Sequence, residues 1–194
     1  MVACDAGVDS LGFNFSPEAQ KRNRYIEPEL ACAIIEKLPP FVSTVGVCVN
    51  ATVEEMEEYL EFVHCVQLHG EESVEDTAVL GNRAIKAFRL SQDISIEQIK
   101  AYNSCSAYLV DAYSPNERGG TGETCDWNKA AEIAVLTTPL MLAGGLTPDN
   151  VAQSIERVRP YAVDTAGGVE SEPGIKDHER IRAFIHNAKQ ASLS

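Results

Sequence analysis

The chain has 194 residues and a formal net charge of −13, with 44% hydrophobic and 23% charged residues. The hydrophobic and charged fractions are ordinary for a globular protein, so we expect residues 1–194 to form a single domain with its own core. The negative charge argues against nucleic acid or an anionic membrane surface as a main partner. Neither a transmembrane run nor a signal peptide is expected from the sequence. The six cysteines form no C-x-x-C pair, which predicts free thiols and a cytoplasmic location.

Residues 1–9 resemble the last turns of a helix, and seven short apolar runs follow that are each predicted to be a strand. Their apolar residues are nearly continuous, which is typical of strands covered on both faces in a parallel sheet. Amphipathic patterns between them predict helices, the first with Leu30, Ile34 and Leu38 on one stripe. The predicted strands are residues 11–15, 42–50, 65–70, 83–90, 107–113, 139–145 and 161–168, and the predicted helices are 27–38, 52–63, 73–81, 95–103, 126–136, 147–158 and 177–190.

Strand and helix alternate with short connections, which predicts an α/β fold with right-handed crossovers. Seven such units and a helical stub come within one strand of an eightfold barrel, and a doubly wound open sheet is the alternative. Polar residues and glycines follow almost every predicted strand, which favours the barrel, because barrel enzymes carry their sites on that rim. These residues are Asn50, Gln67, His69, Arg89, Asp111, Gly144, Gly145, Asp164, Gly167 and Gly168.

Glycine pairs follow the last two predicted strands, Gly144 with Gly145 in "LAGGLTPDN" and Gly167 with Gly168 in "VDTAGGVES". Glycine lets the backbone approach a ligand closely, and free N–H groups at a helix start attract an anion. Either pair alone is also typical of a tight connection without a ligand. Because the pairs occur in consecutive final units, where barrels usually hold phosphate, the sequence predicts a phosphate site.

Asp111 ends the apolar run "AYLVD" and precedes a polar loop that contains Gly119, Gly120 and Gly122. A lone aspartate usually caps a turn, but this apolar approach would deliver Asp111 to the rim. The loop is predicted to close over a ligand and exclude water, which would strengthen acid–base chemistry at Asp111. Its "GGTG" is not a P-loop, because no Gly-Lys-Ser/Thr follows.

Two further groups of polar residues are candidates for ligand contacts. In "CVQLHGEE", Gln67 and His69 have the same parity and are predicted to point into the barrel mouth, although His69 could instead be structural. No second His or Cys lies at metal-ligand spacing, so no metal is expected. The basic residues Lys21, Arg22 and Arg24 are either solvated charges or the source of one guanidinium that pairs with a substrate carboxylate.

Taken together, these segments closely resemble the phosphoribosylanthranilate isomerase family of tryptophan biosynthesis. The resemblance runs from about Ala6 to the C-terminus and includes the family-specific segments "LVDAYSPNERGGTGETCDW" and "AVDTAGGVESEPGIKD". It implies a (βα)8 TIM barrel that rearranges N-(5-phosphoribosyl)anthranilate to 1-(2-carboxyphenylamino)-1-deoxyribulose 5-phosphate, without cofactor or metal. We expect a small-molecule phosphosugar as the partner, and a monomer or homodimer.

The resemblance also implies roles for single residues. Asp111 resembles the general acid that protonates the furanose ring oxygen and opens the ring, and Arg24 resembles the residue that faces the anthranilate carboxylate. Substrate-binding residues at the rim are implied at Gln67, His69 and Asp164.

Gly144, Gly145, Gly167 and Gly168 resemble the family's phosphate cradle. The family usually has Ser-Ser-Gly where this chain has Ala166, Gly167 and Gly168. Two hydroxyl donors are therefore absent from the cradle, although backbone N–H groups can still bind phosphate.

The larger difference from the family concerns its general base. Family members begin with a strand of the form Lys-x-Cys-Gly-x-Thr, whose cysteine removes the C2′ proton of the substrate, and this sequence has no such segment. Cys4 is expected in a helix on the outer wall, and the parity of Cys48 with Gly46 and Asn50 predicts a packing or rim residue. The expected fold is therefore a barrel without its first strand and the start of its first helix.

Three hypotheses follow from these expectations. The first is an active isomerase whose sequence is truncated at the N-terminus. The second is a ligand-binding barrel that keeps the phosphate and anthranilate contacts without turnover. A different phosphosugar isomerase is disfavoured by Asp111 and Arg24. Under the expected fold, two unpaired sheet edges predict low stability or dimerisation across the gap.

Overall fold

The computed structural model describes residues 1–90, 94–111, 126–137 and 139–191. Seven parallel strands form one sheet with helices between them, which confirms the α/β fold. The strands are β1 Ser10–Asn14, β2 Ser43–Cys48, β3 Cys65–Leu68, β4 Ala84–Arg89, β5 Ala107–Asp111, β6 Leu140–Ala143 and β7 Ala162–Val163. The helices are α1 Val2–Asp5, α2 Pro28–Ile35, α3 Val53–Tyr59, α4 Val74–Leu80, α5 Ile96–Ala101, α6 Trp127–Leu136, α7 Val151–Val158 and α8 His178–Ala191.

The strand order distinguishes the two predicted architectures. Each strand lies beside its predecessor in the chain, in the order β1 to β7, and every pairing is parallel. A doubly wound sheet would instead reverse its strand order at a switch point. The consecutive order is that of a TIM barrel. Within the described part of the chain, β1 and β7 are the two edges of the sheet.

All seven predicted strands and all seven predicted helices are present, with shorter bounds in several places. The last strand is reduced to Ala162–Val163, and a 3₁₀ turn at Gly167–Val169 follows it. An antiparallel hairpin then appears that was not predicted, formed by β8 Glu170–Glu172 and β9 Ile175–Lys176. Both hairpin strands are short and polar, so no apolar pattern marked them.

Two helix starts differ instructively. Helix α3 begins with a capping box at Thr52, whose side chain accepts from the backbone N–H of Glu55 while the Glu55 carboxylate accepts from the backbone N–H of Thr52. The helix predicted from residue 147 begins at Val151 instead. The side chain of Asn150 accepts a hydrogen bond from the backbone N–H of Thr147 at 2.7 Å, and this interaction stabilises a turn before the helix.

Only one residue of the stripe predicted for the first amphipathic helix packs against the core. Leu38 packs against the buried cluster that contains Ala31, whereas Leu30 and Ile34 are 56% and 38% exposed. Within α2 it is Ala31 that is completely buried, and Ile35 packs against the same cluster, so the helix lies on the face next to the predicted one.

Side-chain parity separates the interior of the sheet from its helix-covered side. One buried cluster contains strand residues alone, including Ala87, Leu109 and Ala143, and therefore fills the inside of the barrel. The alternate positions, such as Phe88 and Val110, pack with helix residues on the outside. Among the described helices, none is long and apolar enough to cross a membrane.

Candidate active site

Three titratable side chains lie at the carboxyl ends of the strands. Asp111 is the last residue of β5 and shares the inward parity of Leu109. His69 follows β3 and Asp164 follows β7. The pKa of Asp164 is raised, first by burial and then by the charge of Asp111, against the opposing charge of Lys176. Since β5 and β7 are parallel strands of one sheet, Asp111 and Asp164 both lie at the end that forms the mouth.

Gln67 and His69 point the same way, as the strand parity predicted. The His69 Nε2 atom lies 2.6 Å from Gln67 Oε1, and the His69 backbone N–H donates to the Cys48 carbonyl. The pKa of His69 is lowered to about 4, chiefly by burial, although the charge of Asp111 opposes this shift. The imidazole is therefore neutral at pH 7, with Nε2–H donating to Gln67.

The first glycine pair forms a tight turn after β6. Gly144 and Gly145 have φ angles of 91° and 66°, a region that side-chain-bearing residues rarely adopt. The Asn150 side chain fixes this turn by donating through Nδ2 to the Gly145 carbonyl at 3.0 Å. The backbone conformation therefore favours glycine at both positions, and the phosphate site predicted here stays a prediction.

The second glycine pair is packed directly against the first turn. The Thr165 hydroxyl donates to the Leu146 carbonyl oxygen at 2.7 Å. A Cβ atom at position 168 would lie only 1.7 Å from that same oxygen, so the contact requires Gly168. Gly167 is exposed beside it. The two turns thus form one continuous backbone surface at the mouth.

Arg24 is brought to this surface from the segment after β1. Its Nε and Nη2 donate to the two carboxylate oxygens of Glu170 at 3.0 and 2.6 Å. A Cβ atom at Gly167 would lie 3.0 Å from Arg24 Nη2, so the guanidinium rests against the second turn. Lys21 and Arg22 are exposed. Of the three basic residues, Arg24 is the one whose side chain lies against the second glycine turn.

Three charged residues near the mouth were not predicted from the sequence: Glu170, Lys176 and Lys86. Glu170 and Lys176 face each other across the unpredicted hairpin, with Nζ 2.9 Å from Oε1. Their segment "GVESEPGIKD" carries a Pro-Gly turn signal that could have revealed the hairpin. Lys86 lies within the apolar run "RAIKAFRL". A charged residue on a strand predicted to be buried could have indicated that Lys86 has a buried partner.

The described cysteines do not supply a thiolate at the mouth. Cys48 is 1% exposed and packs on the helix-covered side, and burial raises its pKa to about 12. Cys65 lies at the start of β3, and burial raises its pKa as well. Cys4 lies in α1, which packs against α8, in agreement with its predicted place on the outer wall.

One predicted feature, the polar loop after Asp111, lies outside the described residues. Gly119, Gly120 and Gly122, which were predicted to close over a ligand, are outside the described ranges. In those ranges, no group of three His, Cys, Asp or Glu side chains is arranged to hold a metal ion.

Comparison with known proteins adds to this geometry. A family model described as N-(5′phosphoribosyl)anthranilate (PRA) isomerase matches residues 1–187. Proteins named N-(5′-phosphoribosyl)anthranilate isomerase from Geobacter sulfurreducens and Geobacter metallireducens are 48% and 47% identical over 192 and 191 residues, each match covering 97% of this chain and 92% of the relative.

Solved structures of the same enzyme are also similar. The phosphoribosyl anthranilate isomerase of Thermotoga maritima has a TM-score of 0.86 and 41% identity, over 97% of this chain and 92% of that one. A second structure, in complex with reduced 1-(o-carboxyphenylamino)-1-deoxyribulose 5-phosphate, has a TM-score of 0.83 and 38% identity, over 97% and 91% of the two chains. The chain therefore belongs to the N-(5′-phosphoribosyl)anthranilate isomerase family.

Proposed function

We propose that this chain catalyses the Amadori rearrangement of N-(5-phosphoribosyl)anthranilate to 1-(2-carboxyphenylamino)-1-deoxyribulose 5-phosphate, a step of tryptophan biosynthesis. The observation that carries the proposal is the common position of Asp111, the two interlocked glycine turns and Arg24 at one end of the barrel. Family membership supports it, as does the relative that binds a reduced form of this product. The reaction is an isomerisation, so no external oxidant or reductant is consumed.

The proposed substrate has an anion at each end, and the site offers a partner for each. Gly144, Gly145, Gly167 and Gly168 form the backbone surface to which we assign the phosphate. Arg24 lies at the far side of Gly167 and is assigned to the anthranilate carboxylate. The ribose then spans the mouth between these two groups.

Asp111 lies on β5, beside β6 and therefore beside the first glycine turn. We assign it to protonate the furanose ring oxygen, which opens the ring and leaves an imine at C1′. Loss of the C2′ proton then gives an enolamine, which tautomerises to the ketose. None of Cys4, Cys48 and Cys65 is assigned as the base of this step, because none presents a thiolate at the mouth. Asp164 and the Gln67–His69 pair lie at the same mouth and are assigned to the ribose hydroxyls, because a carboxylate and a neutral imidazole both form hydrogen bonds with hydroxyls.

A direct assay of the purified chain tests this proposal. Phosphoribosylanthranilate is generated in situ and its loss of fluorescence is followed, with wild-type chain and an Asp111→Asn variant. We expect turnover by the wild type and a loss of at least about 100-fold in Asp111→Asn, because general acid catalysis contributes about 10²–10⁴-fold. The variant should still bind the reduced product analogue, because its side chain keeps nearly the same size.

The ligand-binding alternative gives a different result in the same experiment. A barrel without turnover would bind the reduced product analogue but would not accelerate the rearrangement over buffer. If the wild-type chain binds the analogue and shows no rate enhancement at any pH between 6 and 9, the isomerase proposal is wrong for this chain.

A further inference from the structure

Glu170 is a buried carboxylate that joins three segments at the mouth. It is the first residue of β8, and its side chain is 5% exposed. Arg24 donates to both of its oxygens, and Lys176 donates to Oε1 at 2.9 Å. Lys176 also donates to the Ala166 carbonyl at 2.7 Å, next to the second glycine turn. Glu170 therefore links the segment after β1 to the turn after β7.

The geometry of the ion pair leaves one edge of the Arg24 guanidinium for a ligand. A guanidinium presents five N–H donors in a planar fork, and Glu170 takes the edge formed by Nε and Nη2. Among the described residues, the end formed by Nη1 and the second Nη2 hydrogen has no hydrogen-bond partner. The Arg24 side chain is 25% exposed, so this end is accessible. It can receive a second carboxylate in a bidentate arrangement.

The pairing also fixes the direction of a side chain that would otherwise be mobile. An arginine side chain loses about 2 kcal/mol of rotamer entropy when it is fixed. Because Glu170 fixes the Arg24 side chain in the unliganded protein, this entropy is already lost before substrate binds. The binding step then has a smaller entropic cost, and the affinity is higher. Burial raises the pKa of Glu170, but hydrogen bonds from Arg24 and Lys176 outweigh it and hold the pKa below its usual value. The carboxylate is therefore charged at neutral pH.

We propose that Glu170 is a positioning residue that orients Arg24 so that its outer edge receives the carboxylate of the substrate. This inference rests on the proposed function, since it takes the anthranilate carboxylate as the partner of Arg24. Glu170 itself does not contact substrate in this role. Its effect is on recognition of one end of the substrate and is separate from the proton transfer at Asp111.

The experiment compares two substrates that differ in one group, phosphoribosylanthranilate and its analogue phosphoribosylaniline, which has no carboxylate. In the wild type, the carboxylated substrate should have the lower KM. Glu170→Gln should raise the KM for that substrate about tenfold and leave kcat within about twofold, because charge-assisted hydrogen bonds are stronger than neutral ones. The KM for the aniline analogue should change by less than about twofold.

Three variants control this measurement. Glu179→Gln breaks an exposed ion pair with Arg182 on α8, and it should leave both KM values unchanged. Arg24→Gln should remove the preference for the carboxylated substrate. In the Arg24→Gln background, Glu170→Gln should then have no further effect on that preference, because Glu170 acts through Arg24. If Glu170→Gln is poorly folded, Glu170→Asp is used, and it should give a smaller change in the same direction.

The outcomes separate this proposal from the proposed function. Equal loss of kcat/KM for both substrates in Glu170→Gln, or lower stability with unchanged KM values, would show a purely structural role and overturn the inference. If the wild type turns over neither substrate, the proposed function fails. Calorimetric binding of the reduced product analogue, with and without its carboxylate, then decides the role of Glu170 by the same comparison.

Discussion

Lys86 and Glu72 form a buried ion pair beside the mouth, with Nζ 2.9 Å from Oε2 and both side chains at most 4% exposed. Lys86 also donates to the Gly70 carbonyl at 2.7 Å. The other Glu72 oxygen accepts the backbone N–H groups of Asn50 and Gly70 at 2.9 and 3.1 Å. The pair therefore holds together the connections that follow β2 and β3, immediately after His69.

Removing one member of this pair should destabilise the protein strongly. Lys86→Met leaves the Glu72 carboxylate buried without its cation, which we expect to lower the free energy of unfolding by about 3 kcal/mol. The double variant Lys86→Met with Glu72→Gln should recover much of this loss, because the amide oxygen can still accept from the backbone of Asn50 and Gly70. Urea denaturation of each variant measures the difference.

A matched control uses the exposed ion pair of α8. Arg182→Met removes the partner of Glu179 at the surface and should change the unfolding free energy by less than about 1 kcal/mol. A double variant as unstable as Lys86→Met would contradict the assignment of the loss to an unpaired buried charge.

The two glycines of the second turn should differ sharply in their tolerance of a side chain. Gly168→Ala places Cβ against the Leu146 carbonyl and should cost about 1–3 kcal/mol, because the backbone has to move. A Cβ atom at Gly167 would lie 3.0 Å from the end of the Arg24 side chain. Because a side-chain end can shift by a few tenths of an ångström more easily than backbone, Gly167→Ser should cost less than about 1 kcal/mol. Thermal unfolding of both variants checks this order, and similar melting temperatures would argue against the close packing of the two turns.

His69 should titrate far below an ordinary histidine. Its pKa falls from 6.5 to about 4 in the folded chain, so the folded state binds this proton less well than the unfolded state. The associated stability is fully present above pH 6.5 and is lost as the pH falls towards 4. Proton NMR of the imidazole measures the midpoint directly. His69→Gln should lose less stability than the wild type over this pH range, and a midpoint near 6.5 would contradict the burial.

Cys48 should be chemically inert in the folded protein. With a pKa of about 12 and 1% exposure, its thiol should not react with a disulfide reagent at pH 8 until the chain unfolds. Cys48→Ala should keep kcat within about twofold, at a stability cost of about 1 kcal/mol. Rapid labelling of native protein at Cys48, with parallel loss of turnover, would instead identify it as a functional thiol.

The strands β1 and β7 end the described sheet, which leads to a prediction about association. Unpaired backbone groups on edge strands promote pairing with other chains. We expect this chain to associate at increasing concentration, or to be less stable than a closed eight-stranded barrel. Sedimentation and calorimetry over a range of concentrations test both, and a monomer with a cooperative, high-melting transition would refute the expectation.

The strands and helices were predictable because each buries an apolar face whose period is visible over a few residues. The face of α2 was not, since Ala31 carries little apolar signal and yet forms the contact. The β8–β9 hairpin was missed because its strands are short and polar. Periodicity therefore identified elements more reliably than it identified which face of an element packs.

The site was predictable to the extent that strand parity determines where side chains point. Gln67 and His69 were placed at the mouth on that ground, and Asp111 was placed there because it ends an apolar run. The partner of Arg24 was not, because Glu170 lies 146 residues away in the chain and no local pattern connects the two. The assigned roles of these residues remain predictions for the assays described above.

The long separation in the chain between Arg24 and Glu170 has a consequence for the order in which the protein folds. Contacts between distant residues carry a loop-closure cost, so they form after local strand pairing has begun. On the ribosome, Arg24 emerges early and has to wait until Glu170 and Lys176 have been synthesised. Asp111 and the glycine turn after β6 emerge before them. The end of the mouth assigned to the carboxylate is therefore assembled last during synthesis, and a nascent chain that stops before the hairpin would lack it.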